Sequence, residues 1–271
     1  MMKFTVLMSI YNKEKVEYFN RAMESIWDSQ TVKPNEIVLV KDGLLTNELD
    51  NAIFMWENKI GNLYKTISLK ENMGLGDALN IGLNECSYNL VARMDTDDIA
   101  AVDRFEKQLK IFENYNIDIC GSWVSEFDKS EDKILSYRKV PENDSSIKIF
   151  AKRRNPLNHP SVLFKKDIVQ VVGGYKKILW FEDYYLWVRL MLKGAVFYNI
   201  QEPLVHMRAG YGQLERRSGL QYALSEFKLQ KEFLSLGFIH IFEFIINISI
   251  RFTSRVVPKY LLKKIYSKIR T

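Results

Sequence analysis

The chain has 271 residues, 47% of them hydrophobic and 27% charged, with a mean hydropathy of −0.18, which is enough sequence to bury a sizeable core in one domain. Two cysteines, Cys86 and Cys120, fall in no redox or metal spacing, which argues against a disulfide framework and a structural zinc site and suits a reducing compartment. The net charge of +6 belongs to the end of the chain, where residues 201–271 carry 12 Lys/Arg against 5 Asp/Glu; no nucleic-acid motif accompanies it, so the charge points to a surface partner instead.

Phe4 to Ile10 is a short apolar run without a cleavage-like region, and it reads as a buried strand rather than a signal peptide. Val16, Phe19, Ala22, Met23 and Ile26 recur at helical spacing. Glu36 to Val40 is a second strand that ends at Lys41-Asp42-Gly43. A helix over 48–58 leads to a third strand near 64–69. Asn72-Met73-Gly74-Leu75-Gly76 is a loop before a helix over 77–85, and Asn89 to Met94 is a fourth strand that runs into Asp95-Thr96-Asp97-Asp98. Alternating strands and helices imply an α/β fold, with a mostly parallel open sheet and helices on both faces. In such sheets ligands bind beyond the carboxyl ends of the strands, where both Asp42 and the Asp95 run sit. The second half is less regular. It offers a strand over 117–127, a short helix over 145–152, a turn at Gly173-Gly174 and a helix over 182–192.

Three acids in the four residues from Asp95 to Asp98 repel one another unless a cation or hydrogen-bond donors compensate, and carboxylate oxygens suit Mg2+ or Mn2+. The plain alternative is an acidic turn, with Asp98 capping the helix of Arg104 and Phe105. Gly74-x-Gly76 is weak as a dinucleotide fingerprint, because it follows the third strand and Leu79 stands where the last Gly or Ala belongs. Asp183 lies one turn before Trp187 on the inward seam of its helix, with Glu182 rotated about 100° away. An acid on a buried seam suits either a general base or a helix cap. His206 and Arg208 follow a strand-like segment, where Arg208 would neutralise a diphosphate and His206 would reach a metal. His159 suits a structural role as well as an acceptor-facing one.

These pieces together resemble the family 2 glycosyltransferases with the GT-A fold, and among them the bacterial exopolysaccharide and capsule enzymes of the amylovoran-biosynthesis type. The resemblance spans essentially the whole chain. It rests on Ser9-Ile10-Tyr11-Asn12, Val40-Lys41-Asp42-Gly43, the segment Asn72 to Gly82, Ala92-Arg93-Met94-Asp95-Thr96-Asp97-Asp98, Asn158-His159-Pro160-Ser161-Val162 and Phe181-Glu182-Asp183-Tyr184, in that order. It implies an inverting transfer of a hexose, with galactose or an N-acetylated hexose favoured, from a UDP-sugar to a saccharide acceptor. That acceptor would be linked to polyprenyl diphosphate, in capsule, exopolysaccharide or O-antigen synthesis. Tyr11, Asp42, Asn72, Gly74, Arg93, Asp95 and Arg208 would hold the nucleotide sugar, with Asp42 accepting from the uracil ring. Asp97 would bind Mn2+ or Mg2+ with Asp95 and His206. Asp183 would deprotonate the acceptor, with Glu182 as its substitute. Gln213, Arg216 and Arg217 occupy a region that varies among relatives. A nucleotidyltransferase and a catalytically silent sugar-nucleotide-binding or scaffold subunit are the alternatives; the first needs a basic triphosphate-gripping loop that is not evident.

Phe238 to Ile250 is apolar except for a stripe of His240, Glu243, Asn247 and Arg251, and seven Lys/Arg without an acid follow from Arg251 onward. The stripe argues against a spanning helix and for one lying in a membrane interface, drawn to anionic lipid. Packing on the body or in a homo-oligomer interface is the alternative. The expected organisation is a catalytic domain over 1–218, with a nucleotide-sugar half over 1–100 and an acceptor half over 101–218. A basic, amphipathic helical extension over 219–271 follows. The expected place is cytoplasmic, on the inner face of the cell membrane.

Overall fold

A computed structural model describes residues 2–209 and 219–256, with the side chains of 252–256 left aside. The expectations on Gln213, Arg216, Arg217 and the basic residues from Arg255 to Arg270 lie outside what it describes.

Strands β1 (Phe4–Ile10), β2 (Glu36–Lys41), β3 (Tyr64–Ser68) and β4 (Leu90–Arg93) pair in parallel in the spatial order β3-β2-β1-β4. Between them run α1 (Val16–Ile26), α2 (Asn47–Ile60) and α3 (Leu75–Glu85). The two-residue alternation of β1 decides which helix covers which face. Phe4, Val6, Met8 and Ile10 face a core shared with α1, α2 and Phe105 of α4 (Arg104–Asn114). Leu7 faces the opposite core with Val38, Val40 and Val91, covered by Ala78, Leu79 and Leu83 of α3. Helices therefore lie on both faces, as expected for an α/β sheet with no wet side.

Past β4 the sheet becomes mixed. The short β5 (Ile99–Ala100) precedes α4, and β6 (Ile119–Phe127) and β7 (Ile134–Arg138) form an antiparallel pair. After α5 (Asp144–Ala151), β8 (Leu163–Lys165) runs antiparallel to both β4 and β6 and so joins the two halves into one nine-stranded sheet. Then come α6 (Lys166–Val171), α7 (Glu182–Leu192) and the long β9 (Phe197–Arg208), which is parallel to β6 and antiparallel to β5. Helices α8 (Leu220–Ser235) and α9 (Ile241–Val256) pack behind α7 in a separate cluster of Tyr184, Tyr185, Val188, Tyr222, Leu229 and Phe233. Among the described residues no helix is long and apolar enough to cross a membrane.

Candidate active site

The carboxyl ends of the parallel strands β1, β2 and β4 open on the same edge of the sheet, and Tyr11, Asp42 and the Asp95 run follow them in turn. At the end of β1, Tyr11 is exposed. Asp42, just past β2, is 4% exposed, and both its oxygens are already engaged. Oδ1 accepts from Met73 N–H at 2.7 Å and Oδ2 from Gly74 N–H at 3.1 Å, while Asn72 Nδ2 donates to the Asp42 carbonyl at 3.2 Å. Asp42 thus ties the glycine loop to the sheet. The approach is close: a Cβ on Gly43, where φ is +88°, would lie 2.8 Å from Asn72 N.

After β4 the chain places Asp95, Asp97 and Asp98 with one carboxylate oxygen each within 4.8 Å of the others. Arg93, 2% exposed, forms an ion pair with Asp95, while its Nε and one terminal nitrogen, NH1, are buried without a protein acceptor. Beneath it, Arg104 is fully buried and donates to the Arg93 carbonyl at 2.7 Å and to Gln108 Oε1 at 3.1 Å. Burial, the neighbouring Asp95 and Glu14 push the Asp97 carboxyl up to about 7. Burial and both neighbouring aspartates push Asp98 well above the usual carboxylate range. Asp98 Oδ1 accepts from Arg208 N–H at 2.8 Å, and its Oδ2 is buried with no partner. An orphaned carboxylate oxygen among three hard donors fits a divalent cation.

Asp98 does not cap α4, whose N-cap is Asp103. It stands beside Asp95 and Asp97, where the expectation has His206. The His206 ring turns elsewhere: Nδ1 meets Ser125 Oγ at 2.6 Å, and the ring lines a separate cavity of about 280 Å³ with Arg21 and Glu131. The reason is the β9 alternation together with the β6 pairing, which seats His206 opposite Ser125. Arg208, two residues on, braces the cluster from below. Its Nε donates to the Asp97 carbonyl at 3.2 Å, and its guanidinium lies 3.7 Å from the Tyr18 ring centroid.

The second pair of acids opens α7. Asp183 Oδ2 accepts from Asn155 Nδ2 at 2.7 Å, and its Oδ1 accepts from Tyr184 N–H at 2.7 Å. Glu182 leans on Gly76, where an added Cβ would come within 3.3 Å of Glu182 Cγ, so this glycine admits the acid beside the loop. Burial, Asp183 and Asp77 push the Glu182 carboxyl up to about 7. The two acidic groups share a neighbour in Tyr175. Burial raises its hydroxyl far above the usual tyrosine range, Arg93 pulls it down, and Asp183 and Asp95 push it up. That hydroxyl meets His159 Nε2 at 2.9 Å, and burial holds the His159 ring neutral.

Asn80 grips the Tyr175 backbone from α3, accepting from its N–H at 2.7 Å and donating to its carbonyl at 2.8 Å. Arg189 of α7 donates to the carbonyls of Val172 and Gly174 in the same turn. The sequence marks only the Gly173-Gly174 turn. Asn80 lies within the Asn72 to Gly82 segment, but Tyr175, Asn155 and Glu14, whose carboxylate accepts from Thr96 Oγ1 at 2.6 Å, carry no motif of their own.

Residues 5–220 match the sequence model described as Glycosyl transferase family 2. The chain belongs to that family. It is 40% identical over 268 residues to the Escherichia coli UDP-Gal:alpha-D-GlcNAc-diphosphoundecaprenol beta-1,3-galactosyltransferase, covering 98% of this chain and 96% of that one. It is 38% identical over 268 residues to the amylovoran biosynthesis glycosyltransferase AmsE of Erwinia amylovora, covering 98% and 99%. Among solved structures, S. aureus TarS 1–349 in complex with UDP-GlcNAc aligns with a TM-score of 0.65 at 16% identity, over 86% of this chain and 67% of that one. The Pyrobaculum calidifontis mannosyltransferase PcManGT in complex with GDP-Man and Mn2+ aligns with a TM-score of 0.65 at 15% identity, over 86% and 64%. At such identities the two structures establish the GT-A type of fold that this family 2 glycosyltransferase adopts.

Proposed function

We propose that this family 2 glycosyltransferase moves a hexose, galactose or an N-acetylated hexose, from a UDP-sugar to a saccharide acceptor on polyprenyl diphosphate, with inversion, in the building of a bacterial surface polysaccharide. The observation that carries the reading is the cluster of Asp95, Asp97 and Asp98 beyond the carboxyl end of β4, in a chain that matches the family 2 model over residues 5–220. The donor class and the lipid-linked acceptor are supported by the name of the E. coli relative.

Asp95, Asp97 and Asp98 would hold a Mn2+ or Mg2+ ion, which when bound offsets the charge of a departing diphosphate. The protein's own groups do the rest. Arg93 keeps Asp95 in place and has two buried donor positions to offer the nucleotide. Tyr11, exposed at the lip, offers its ring to the nucleoside, and the Asp42-anchored loop of Asn72 and Gly74 walls the same side. Asp183 takes the proton of the acceptor hydroxyl as its oxygen bonds to the anomeric carbon. The bond from that carbon to the diphosphate breaks, and its electron pair leaves with UDP. Asn155 and the start of α7 keep the Asp183 carboxylate aimed, and Glu182 beside it tunes the local charge.

The test is a screen of nucleotide sugars for thermal protection and UDP release with Mn2+. UDP-galactose or a UDP-N-acetylhexose should respond; the absence of any response to nucleotide sugars would remove the reading. Asp183→Asn should lower kcat about 10²–10⁴-fold while leaving UDP affinity unchanged. A fully active variant would remove Asp183 as the base.

A further inference from the structure

Helix α9 is seated the wrong way round for a soluble protein. Its polar stripe faces the body: Glu243 pairs with Lys152 at 3.1 Å, Asn247 accepts from Arg153 at 3.1 Å and donates to Gln230 at 2.8 Å, and Arg251 pairs with Glu226 of α8. These contacts leave the apolar side outward, with Phe242 76% and Ile250 63% exposed, and Ile241, Ile245 and Ile246 also exposed. Helix α8 does the same with Leu220, Leu224 and Phe227, at the spacing of one helical stripe. The two helices touch where the rings of Phe227 and the half-buried Phe244 lie 5.8 Å apart. At its other end α8 reaches the loop before the candidate base. Ser225 Oγ donates to the Leu179 carbonyl at 2.7 Å, and Tyr222 stacks on Trp180 at 5.2 Å. Leu179 and Trp180 are themselves partly exposed, and Trp180 holds a left-handed φ of 67°, two residues before Glu182.

We infer that this surface, from the outer stripe of α9 across α8 to Leu179–Trp180, lies on an anionic lipid bilayer. An apolar face this extended, rimmed by cations, is a membrane or partner surface and not ordinary protein exterior. Charge selects the bilayer. Lys228 and Lys231 are exposed on α8, and the chain after Arg251 holds six Lys/Arg and no Asp/Glu. An apolar helix face followed in sequence by basic residues is what anionic headgroups attract. The helix is also held apolar side out by ion pairs before any lipid arrives, so docking needs no coil-to-helix transition. Because Leu179 and Trp180 belong to the same surface, docking brings the bilayer to the entrance beside Glu182 and Asp183. That consequence rests on the proposed transfer to a lipid-linked acceptor; the docking itself does not.

The full-length chain is to be co-sedimented with phosphatidylethanolamine vesicles, with and without phosphatidylglycerol. Binding should require phosphatidylglycerol and weaken with salt. The double variant Phe242→Ser, Ile246→Ser should weaken it at least about tenfold, since each side chain removes apolar area from contact with lipid. Leu44→Ser, at a residue more exposed than either of these on the loop after β2, should leave it unchanged. Wild-type binding by the double variant would overturn the inference, as would equal binding to vesicles lacking phosphatidylglycerol. Self-association in sedimentation velocity that the double variant abolishes, with no vesicle binding by either protein, would assign the face to a second copy and overturn it too. Mn2+-dependent UDP affinity, measured in parallel without lipid, should be the same in all variants, so a failure here is distinct from a failure of the transfer reading.

Discussion

Asp97 shows how a single residue's surroundings set its chemistry. Its run of acids is plain in the sequence, but its titration near 7 follows from burial beside Asp95 and Glu14, the latter 83 residues away in the chain. A carboxylate raised in the folded state binds a proton there that the unfolded chain has already released. The metal-free protein should therefore lose stability as pH rises from the ordinary carboxylate range through about 7. A cation must displace that proton, so Mn2+ affinity should climb about tenfold per pH unit below neutrality and level off above it. Calorimetry across that range checks both signs, and Asp97→Asn should abolish the binding. A pH-independent affinity in the wild type would mean that Asp97 is ionised before the metal arrives.

At the scale of elements, the turn from Val172 to Tyr175 is held by α3 through Asn80 and by α7 through Arg189, with His159 against the Tyr175 hydroxyl. The turn is thus pinned between the helix that follows the glycine loop and the helix that Asp183 opens. Asn80→Ala removes both bonds to the Tyr175 backbone, at a cost of about 1–3 kcal/mol in stability. It should lower kcat while leaving Mn2+-dependent UDP affinity near the wild-type value, because the Asp95 cluster is built on β4. Loss of affinity in step with kcat would show that the turn supports the nucleotide side instead.

Over the whole molecule, the two expected halves share one sheet, because β8 pairs with β4 on one side and β6 on the other. Gln108 of α4 reinforces the join, donating to the carbonyls of Cys120 at 3.1 Å and Ser161 at 2.8 Å while accepting from Arg104. All three partners are buried. Residues 1–218 should therefore unfold in one cooperative transition, and Gln108→Ala should lower its midpoint by an amount equivalent to about 1–3 kcal/mol without splitting it. Two separate calorimetric peaks in the wild type would contradict a single unit.

Much of this protein was determined locally. The alternating strands and helices of the first hundred residues, the glycine loop, the aspartate run after β4 and the acids opening α7 are patterns of period and spacing, and short-range sterics dictate them. The burial of Asp98 beside Asp95 and Asp97, the hold of Asp42 on the backbone of the glycine loop, the seat of His206 against Ser125 and the contact of Tyr175 with His159 depended on the fold that brings these segments together. So did the orientation of α9. Its polar stripe is visible in the sequence, but whether a stripe faces water or the body depends on the partners that meet it, and Lys152, Arg153, Gln230 and Glu226 come from other elements. Periodicity is a property of one segment; the side on which a face lies is a property of the fold that surrounds it.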